Sequence, residues 1–455
     1  MTSYSPAGER LPGRVRLGYG AGSVATGTFG TVPGLMLLPY LTDTLGVAPV
    51  LAGALVLVPK AWDVVLNPIA GRISDRTVDP RGARRPWLLR GGIGLVIGFA
   101  LIFAAPSMPT PLAVGWVLLA FLGTATAYSF FQVPYVAMPA ELTNDPTERT
   151  GLLASRVVLL AMAILIAGGS APAIRDAIGG RDGYRAMGLV MAAVLLVGVL
   201  AAYVGTRGTR STQIAPAAGG LRDQLRVIAG VAAFRALLIT FVVQALGFGA
   251  MLAGVDYLAR YVLVDPTKDN SSGLSTILFV CFVGPGLVLT PVWSLVSRRL
   301  GKKHSYIAAS VLLIVATVIL IGARSLPHGV TFAAVALAGI GYAGAQVFPM
   351  AMLPDVAAAD ATASGQSRIG IFTGIWTAGE TLGLAIGPGI YALVLAVGGY
   401  VSSHGGDAAQ PSSALTAIVL GFSLLPALLI AASLFWLRTY ALPAPPRTPT
   451  PGGPR

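Results

Sequence analysis

The stretch KAWDVVLNPIAGRISDRT, residues 60–77, sets Lys60 and Asp63 inside a segment that is otherwise apolar from Leu51 to Ile73. Three residues apart on a helix, the two side chains share a face. A charge in mid-bilayer costs about 2.5 to 3.5 kcal/mol on insertion scales, so an unpaired one needs a role or a wet cavity. Two chemistries fit. In one, Asp63 takes part in ion coupling or substrate binding, and Lys60 is a movable partner whose withdrawal changes the proton affinity of the carboxylate. In the other, the two form a structural ion pair. Glu380, in GIWTAGETLG, is a second intramembrane acid, placed either to couple an ion or to cap a polar patch. Trp376, one turn earlier, is either a stacking surface for a solute or ordinary packing. Tyr128 and Gln132 are four apart and share a helix face. A phenol and an amide over an aromatic platform suit a sugar, with hydroxyls at its rim and apolar C–H faces, and interhelical hydrogen bonding explains them equally well. Asp256, near the outer end of its apolar block, is expected to meet water.

These residues sit in an integral membrane protein. The 455 residues are 55% hydrophobic and 11% charged, with a mean hydropathy of +0.76, far from soluble domains. Twelve apolar blocks recur at 17–41, 49–74, 87–105, 111–138, 151–174, 185–205, 235–262, 273–297, 305–323, 329–353, 369–397 and 413–437, each near the roughly 20 residues that span the hydrocarbon core. They are continuous runs rather than alternating ten-residue strands, so helices are expected and not a barrel. The net charge of +13 is an orientation signal. With Arg10, Arg14 and Arg16 taken as cytoplasmic, only Arg175, Arg181, Arg185, Arg260, Lys268 and Arg324 fall outside, and Lys60 and Arg156 lie within helices. That asymmetry puts both termini in the cytoplasm and calls for no nucleic-acid partner. The N-terminal stretch MTSYSPAGERLPGRVR lacks an apolar core, so no cleaved signal is expected.

The chain divides near its middle. A polar segment at 206–234 separates six blocks (17–205) from six (235–437), while 1–16 and the Pro-rich tail 438–455 are expected to be disordered. NPIAGRISDR (67–76) aligns with TPVWSLVSRR (290–299), and QVPYVAMPAEL from Gln132 with QVFPMAMLPDV from Gln346. Two homologous six-helix bundles follow, with a binding site expected at their interface near the midplane. Pro59, Pro68, Pro134, Pro139, Pro291 and Pro349 are expected kinks. Cys281 is the single cysteine, and His304, His328 and His404 are scattered, so neither a disulfide nor a metal site is expected. No HExxH, GxSxG or Walker A pattern occurs, which argues against an enzyme and against any cofactor. A monomer is expected.

Several stretches are similar to the glycoside-pentoside-hexuronide:cation symporters of the major facilitator superfamily, the group that includes melibiose permease. They are LGYGAG (17–22), WDVVLNPIAGRISDRT with RGARRPW (62–87), YSFFQVPY (128–135), ERTGLLASR (148–156) and MLPDVAAADATASGQSRIGIFTGIWTAGETLGLAIG (352–387). The resemblance implies alternating access, with cation flow driving uptake of a sugar or glycoside. It makes Arg156 a sugar contact through its fork of donors, where the residue alone reads equally as a snorkelling arginine. It makes the loop with Asp75, Arg76, Arg84 and Arg85, echoed by Arg298 and Arg299, an inward gate, although topology alone also explains the basic residues. Departures are pointed. The family's second helix-2 acid is Asn67, its helix-4 acid is Gln132, its helix-1 acid falls near Gly27, and its helix-11 lysine is Thr381 beside Glu380. Sodium prefers several hard oxygen ligands, whereas a proton needs one buried carboxylate. The coupling ion is therefore H+ or Na+, with the proton favoured. An exporter or lysolipid-type carrier on the same fold is the alternative.

Overall fold

The computed structural model describes residues 11–80, 82, 84–107, 109–143, 145–207, 230–264, 273–364, 368–405 and 408–441. Most of the two termini and of the central segment expected to be irregular lie outside the described residues, as does Lys268. Among the described residues, eleven helical segments are long and apolar enough to cross a membrane. One of them, Leu274–Ile319, is 46 residues long. Unbroken, it would measure about 70 Å against a hydrocarbon core of about 30 Å. Its backbone turns at Gly301, where φ is 76° and ψ 161°, a conformation open to glycine and costly for any residue with a Cβ. It is two spans, and the total is twelve.

In chain order these are α1 (Gly13–Pro39), α2 (Pro49–Asp75), α3 (Arg85–Ile102), α4 (Thr110–Ala137), α5 (Pro146–Ile178) and α6 (Gly180–Gly205) in the first half. The second half holds α7 (Ala232–Tyr257), α8 (274–300), α9 (302–319), α10 (His328–Ser364), α11 (Ile369–Val397) and α12 (Ser412–Thr439). Several run past their apolar blocks: α5 starts at Pro146 and takes in Glu148 and Arg149, because a helix continues into the interface where water or a partner meets its polar residues. Pro59, Pro68, Pro134, Pro291 and Pro349 lie inside helices. Pro139 does not kink one; it opens the short helix Pro139–Leu142, where the missing N–H is no loss.

The internal repeat is visible in the packing. In the first half, Gly91 of α3 lets the backbone of α4 approach: a Cβ there would stand 2.7 Å from Phe131 N. In the second, Gly341 of α10 does this against α9, 2.8 Å from Leu313 N. Close backbone approach through small residues is how helices associate without a hydrophobic driving force. Ion pairs repeat too. Arg84, just before α3, binds Glu141 and also Asp75 at 2.8 Å, and Lys302, at the start of α9, binds Asp355 at 2.5 Å; Glu141 and Asp355 are aligned in the two QV stretches. A feature with no forewarning in the sequence is a π-helical turn at the end of both α1 (Tyr40–Thr44) and α7 (Leu258–Val262), closed by Leu45 N to Tyr40 O and Leu263 N to Leu258 O.

The two halves meet tightly at the end where α1 finishes, called here the distal end. There α2 crosses α11: a Cβ on Gly53 would lie 2.8 Å from Ala392 Cβ and 3.2 Å from Gly389 Cα. The α5–α8 crossing is also close, with Gly168 making room for the Phe279 ring and Thr276 Oγ1 donating to Gly169 O at 2.8 Å. Toward the other, terminal end, Gly151, Gly370 and Gly374 meet nothing within 4 Å. Gly91→Ala is expected to lower the thermal unfolding midpoint of the purified protein, through overpacking worth about 1 to 3 kcal/mol. Gly115→Ala, which meets nothing within 4 Å, is expected to leave it unchanged or raise it slightly.

Candidate functional site

The site begins at Phe29 of α1. Its ring lies 4.3 Å from Tyr128 and 6.3 Å from Phe121, and Lys60 Nζ lies 4.6 Å above it. Lys60 and Asp63 feel each other's charge, yet the direct pair that their spacing suggests does not form. Lys60 turns to the aromatic face, an attraction worth more when desolvated, and the buried Asp63 accepts a hydrogen bond from Ser129 Oγ of α4. Helical spacing sets only which face a side chain occupies. Ser129 and Phe29, brought in by tertiary packing, decide its partner.

About two turns along α4 from Tyr128, Tyr135 organises a second cluster. Its hydroxyl donates to Tyr19 O at 2.7 Å and meets Ser23 Oγ at 2.9 Å, its ring stacks on Tyr19 at 4.9 Å, and the Arg156 guanidinium sits 5.8 Å from its centroid. Tyr128 is within Coulombic reach of both Asp63 and Arg156, so the sequence candidates of the first half form one neighbourhood. Asn67 is half-buried one turn beyond Asp63.

Polar satisfaction separates scaffold from site. Gln244 of α7 uses its whole amide, donating to Ser310 Oγ and Ser433 Oγ at 3.0 Å each and accepting from Tyr306 at 3.1 Å; it ties α7, α9 and α12 together. By contrast Gln132 Oε1, its repeat-related counterpart Gln346 Oε1, Arg156 Nε and the Tyr19 hydroxyl are buried without a partner. Buried groups left unpaired cost stability, so a set of them at related positions is the mark of a place where a ligand or water completes the bonding. Gln346 donates to Tyr342 OH at 3.2 Å, and Tyr342 lies within Coulombic reach of the half-buried Glu380. The repeat aligned Gln346 with Gln132, whereas Tyr19, Ser129 and Tyr135 lie inside the LGYGAG and YSFFQVPY stretches that carry the resemblance but were not singled out within them.

Three expectations need correction. Trp376 offers no open stacking face here: it is fully buried and stacked on Phe241 of its own half at 4.4 Å, because its position on α11 turns toward α7. Asp256 does not meet water; it is fully buried and held by Arg175 at 2.7 Å. The gate set does not join the halves in this conformation. Asp75 and Arg84 pair within the first half, Arg85 donates to Tyr203 O at 2.7 Å and lies over the Tyr203 ring, and Arg76, Arg298 and Arg299 are exposed.

The MFS/sugar transport protein family matches residues 18–444. A protein of Escherichia coli K12, provisionally described as a glycoside/cation symporter, is 28% identical over 94% of this chain and 91% of its own length. The isoprimeverose transporter of Lactiplantibacillus pentosus is 24% identical, over 91% of this chain and 86% of its own. Among solved structures, a bacterial homologue of the human lysosomal transporter Spinster superposes with a TM-score of 0.68 at 14% identity, covering 94% of this chain and 95% of that one, which establishes the shared fold. The chain thus belongs to the MFS/sugar transport protein family: a multi-pass plasma-membrane transporter of small solutes built on the major facilitator fold, and not an enzyme.

Proposed function

We propose that this protein is a cation-coupled symporter of a sugar or glycoside that works by alternating access and uses the proton in preference to sodium. The single observation that carries the choice of ion is the environment of Asp63. One buried carboxylate receives one hydroxyl hydrogen bond from Ser129, while the positions where the resemblance calls for further acids are Asn67, Gln132 and Gly27. Binding a proton needs one basic oxygen shielded from bulk water. Binding sodium needs several oxygens to replace its hydration shell, and here the amides of Asn67 and Gln132 would supply them with little charge. Glu380 is a second proton-binding candidate in the other half.

Solute recognition falls to Arg156, Gln132 and Tyr128, with Lys60 at the edge. Guanidinium and amide groups with open hydrogen-bonding capacity suit the hydroxyl pairs of a sugar. With the terminal end taken as cytoplasmic, on the distribution of arginine and lysine, the closed distal end faces outward and the conformation is inward-facing.

Reconstituted in proteoliposomes and given a panel of sugars and lysolipids, the protein is expected to take up a sugar-like solute faster under an imposed proton gradient. Equal rates with and without proton and sodium gradients would remove coupling. Asp63→Asn is expected to abolish gradient-driven accumulation while sparing solute exchange; retained accumulation would reassign Asp63 to structure. Arg156→Lys, which keeps the charge and loses the fork, is expected to raise KM for the solute by about ten-fold or more, the scale of a charged hydrogen bond, with little change in thermal stability.

A further inference from the structure

A buried network of ion pairs stands apart from the candidate site. It lies at the distal end, where four charged side chains connect the halves crosswise. Arg175 of α5 grips Asp256 of α7 with two bonds, Nη1 to Oδ2 at 2.8 Å and Nη2 to Oδ1 at 2.7 Å. Arg260, on the π-turn ending α7, reaches back to Asp43 on the π-turn ending α1, at 3.1 Å. Each half thus gives one arginine and receives one. Arg260 also stands 3.5 Å from Asp256, joining the two arms into one network.

This is an enclosed assembly rather than a surface ion pair. Asp256 is 0% exposed, Asp43 2% and Arg175 4%, which takes the network out of the class of solvated pairs whose contribution is near zero. The carboxylates carry further donors: Ser275 Oγ to Asp256 at 2.7 Å, and Thr42 Oγ1 and Tyr400 OH to Asp43 at 2.7 and 2.5 Å. A strap from the second half, following α11, then lies over the first. Ser402 Oγ donates to Val47 O at 2.8 Å, and Ser403 N and Oγ donate to Thr42 O and Asp43 O at 2.9 Å each. Thr42 and Tyr257 add a hydroxyl contact between α1 and α7 at 2.7 Å.

We propose that Asp43, Arg175, Asp256 and Arg260 form a reciprocal charge latch that holds the distal end closed and sets the balance between the two access states. What makes it a latch and not a permanent weld is that most members own a second partner in their own half. Arg175 keeps Asp176 at 2.7 Å and Tyr184 at 3.2 Å, and Arg260 keeps Asp256, four residues earlier on the same helix. When the distal ends part, both arginines retain a counter-charge, and Asp43 retains Thr42. Opening therefore leaves both arginines with a local counter-charge and leaves Asp43 with the Thr42 hydroxyl and the water that the parted ends admit, rather than stranding a charge in a dry interior, the costly alternative. Any change that removes a crosswise partner while leaving the local ones favours the open distal end. The effect on transport rests on the alternating-access reading above, but the latch is testable without it.

The test is a distance measurement on the full chain in lipid nanodiscs. In a Cys281→Ser background, spin labels go on Leu112→Cys at the distal start of α4 and Val330→Cys at the distal start of α10; these sites are 61% and 44% exposed and lie in opposite halves. In the parent, the short distal distance is expected to dominate. Asp256→Asn, Arg175→Gln and Asp43→Asn are each expected to shift population to a longer distance, raising the long-to-short ratio about ten-fold or more. Should Asp256→Asn fail to fold, Asp43→Asn carries the test, since it removes a carboxylate of the second arm alone. Unmoved distances in folded single variants would overturn the latch. Solute uptake measured alongside separates the two ideas: a shifted distance with no coupled uptake in the parent leaves the latch standing and removes the symport reading.

Discussion

Within a bilayer a polar group has no bulk water to fall back on, so each one is satisfied by the protein or marks a route that water and solute enter. That constraint sorts the interior of this transporter. Gln244 is satisfied on every side by three helices and is scaffold. The arginines and aspartates of the distal end are satisfied by each other. Gln132 Oε1, Gln346 Oε1, the Arg156 Nε and the Tyr19 hydroxyl are buried and unpaired, and of these the Tyr19 ring and the Arg156 guanidinium both lie against Tyr135. The distinction between glue and site comes from counting partners, since residue type does not make it.

A second consequence is a division of labour between two kinds of ion pair. Arg84 with Glu141 and Lys302 with Asp355 are repeat-related and lie inside their own halves, so they make each six-helix unit a firmer body. Among the described residues, the polar contacts that cross between the halves gather at the distal end, where Gly53 and Gly389 also bring backbones together. Two firm bodies joined at one end are suited to rocking, because motion is confined to one seam and packed cores resist continuous deformation. The π-turns ending α1 and α7 sit at that seam and carry Asp43 and Arg260, consistent with the association of such turns with functional positions.

The fold was legible in the sequence to a large extent. Twelve apolar blocks and the repeated QV stretch read directly onto helices, and α8 and α9 are separated by one glycine whose backbone conformation only glycine adopts cheaply. Among the candidate residues, Tyr128 packs on the Phe29 ring beneath Lys60 and Arg156 lies over Tyr135, and the alignment of Gln132 with Gln346 pairs two amides whose Oε1 atoms are both buried without a partner; their part in transport is the proposal. The exceptions to the basic-inside pattern were also a signal: Arg175 and Arg260, two of the few arginines that the charge distribution assigns to the outer side, are the ones that pair across the distal seam.

What the sequence determined by itself was everything that depends on periodicity and composition: a membrane helix is specified locally, by a run of apolar side chains long enough to cross, and a duplication is specified by alignment. What only the tertiary structure decided was the identity of partners. Lys60 faces Asp63 by helical spacing yet rests on Phe29, Trp376 stacks on Phe241 of its own half, and Asp256 finds Arg175 from 81 residues away in the chain. In a medium that cannot solvate charge, a side chain takes whichever partner the packed helices bring within reach, and that proximity is a property of the assembled bundle that no spacing along the chain encodes.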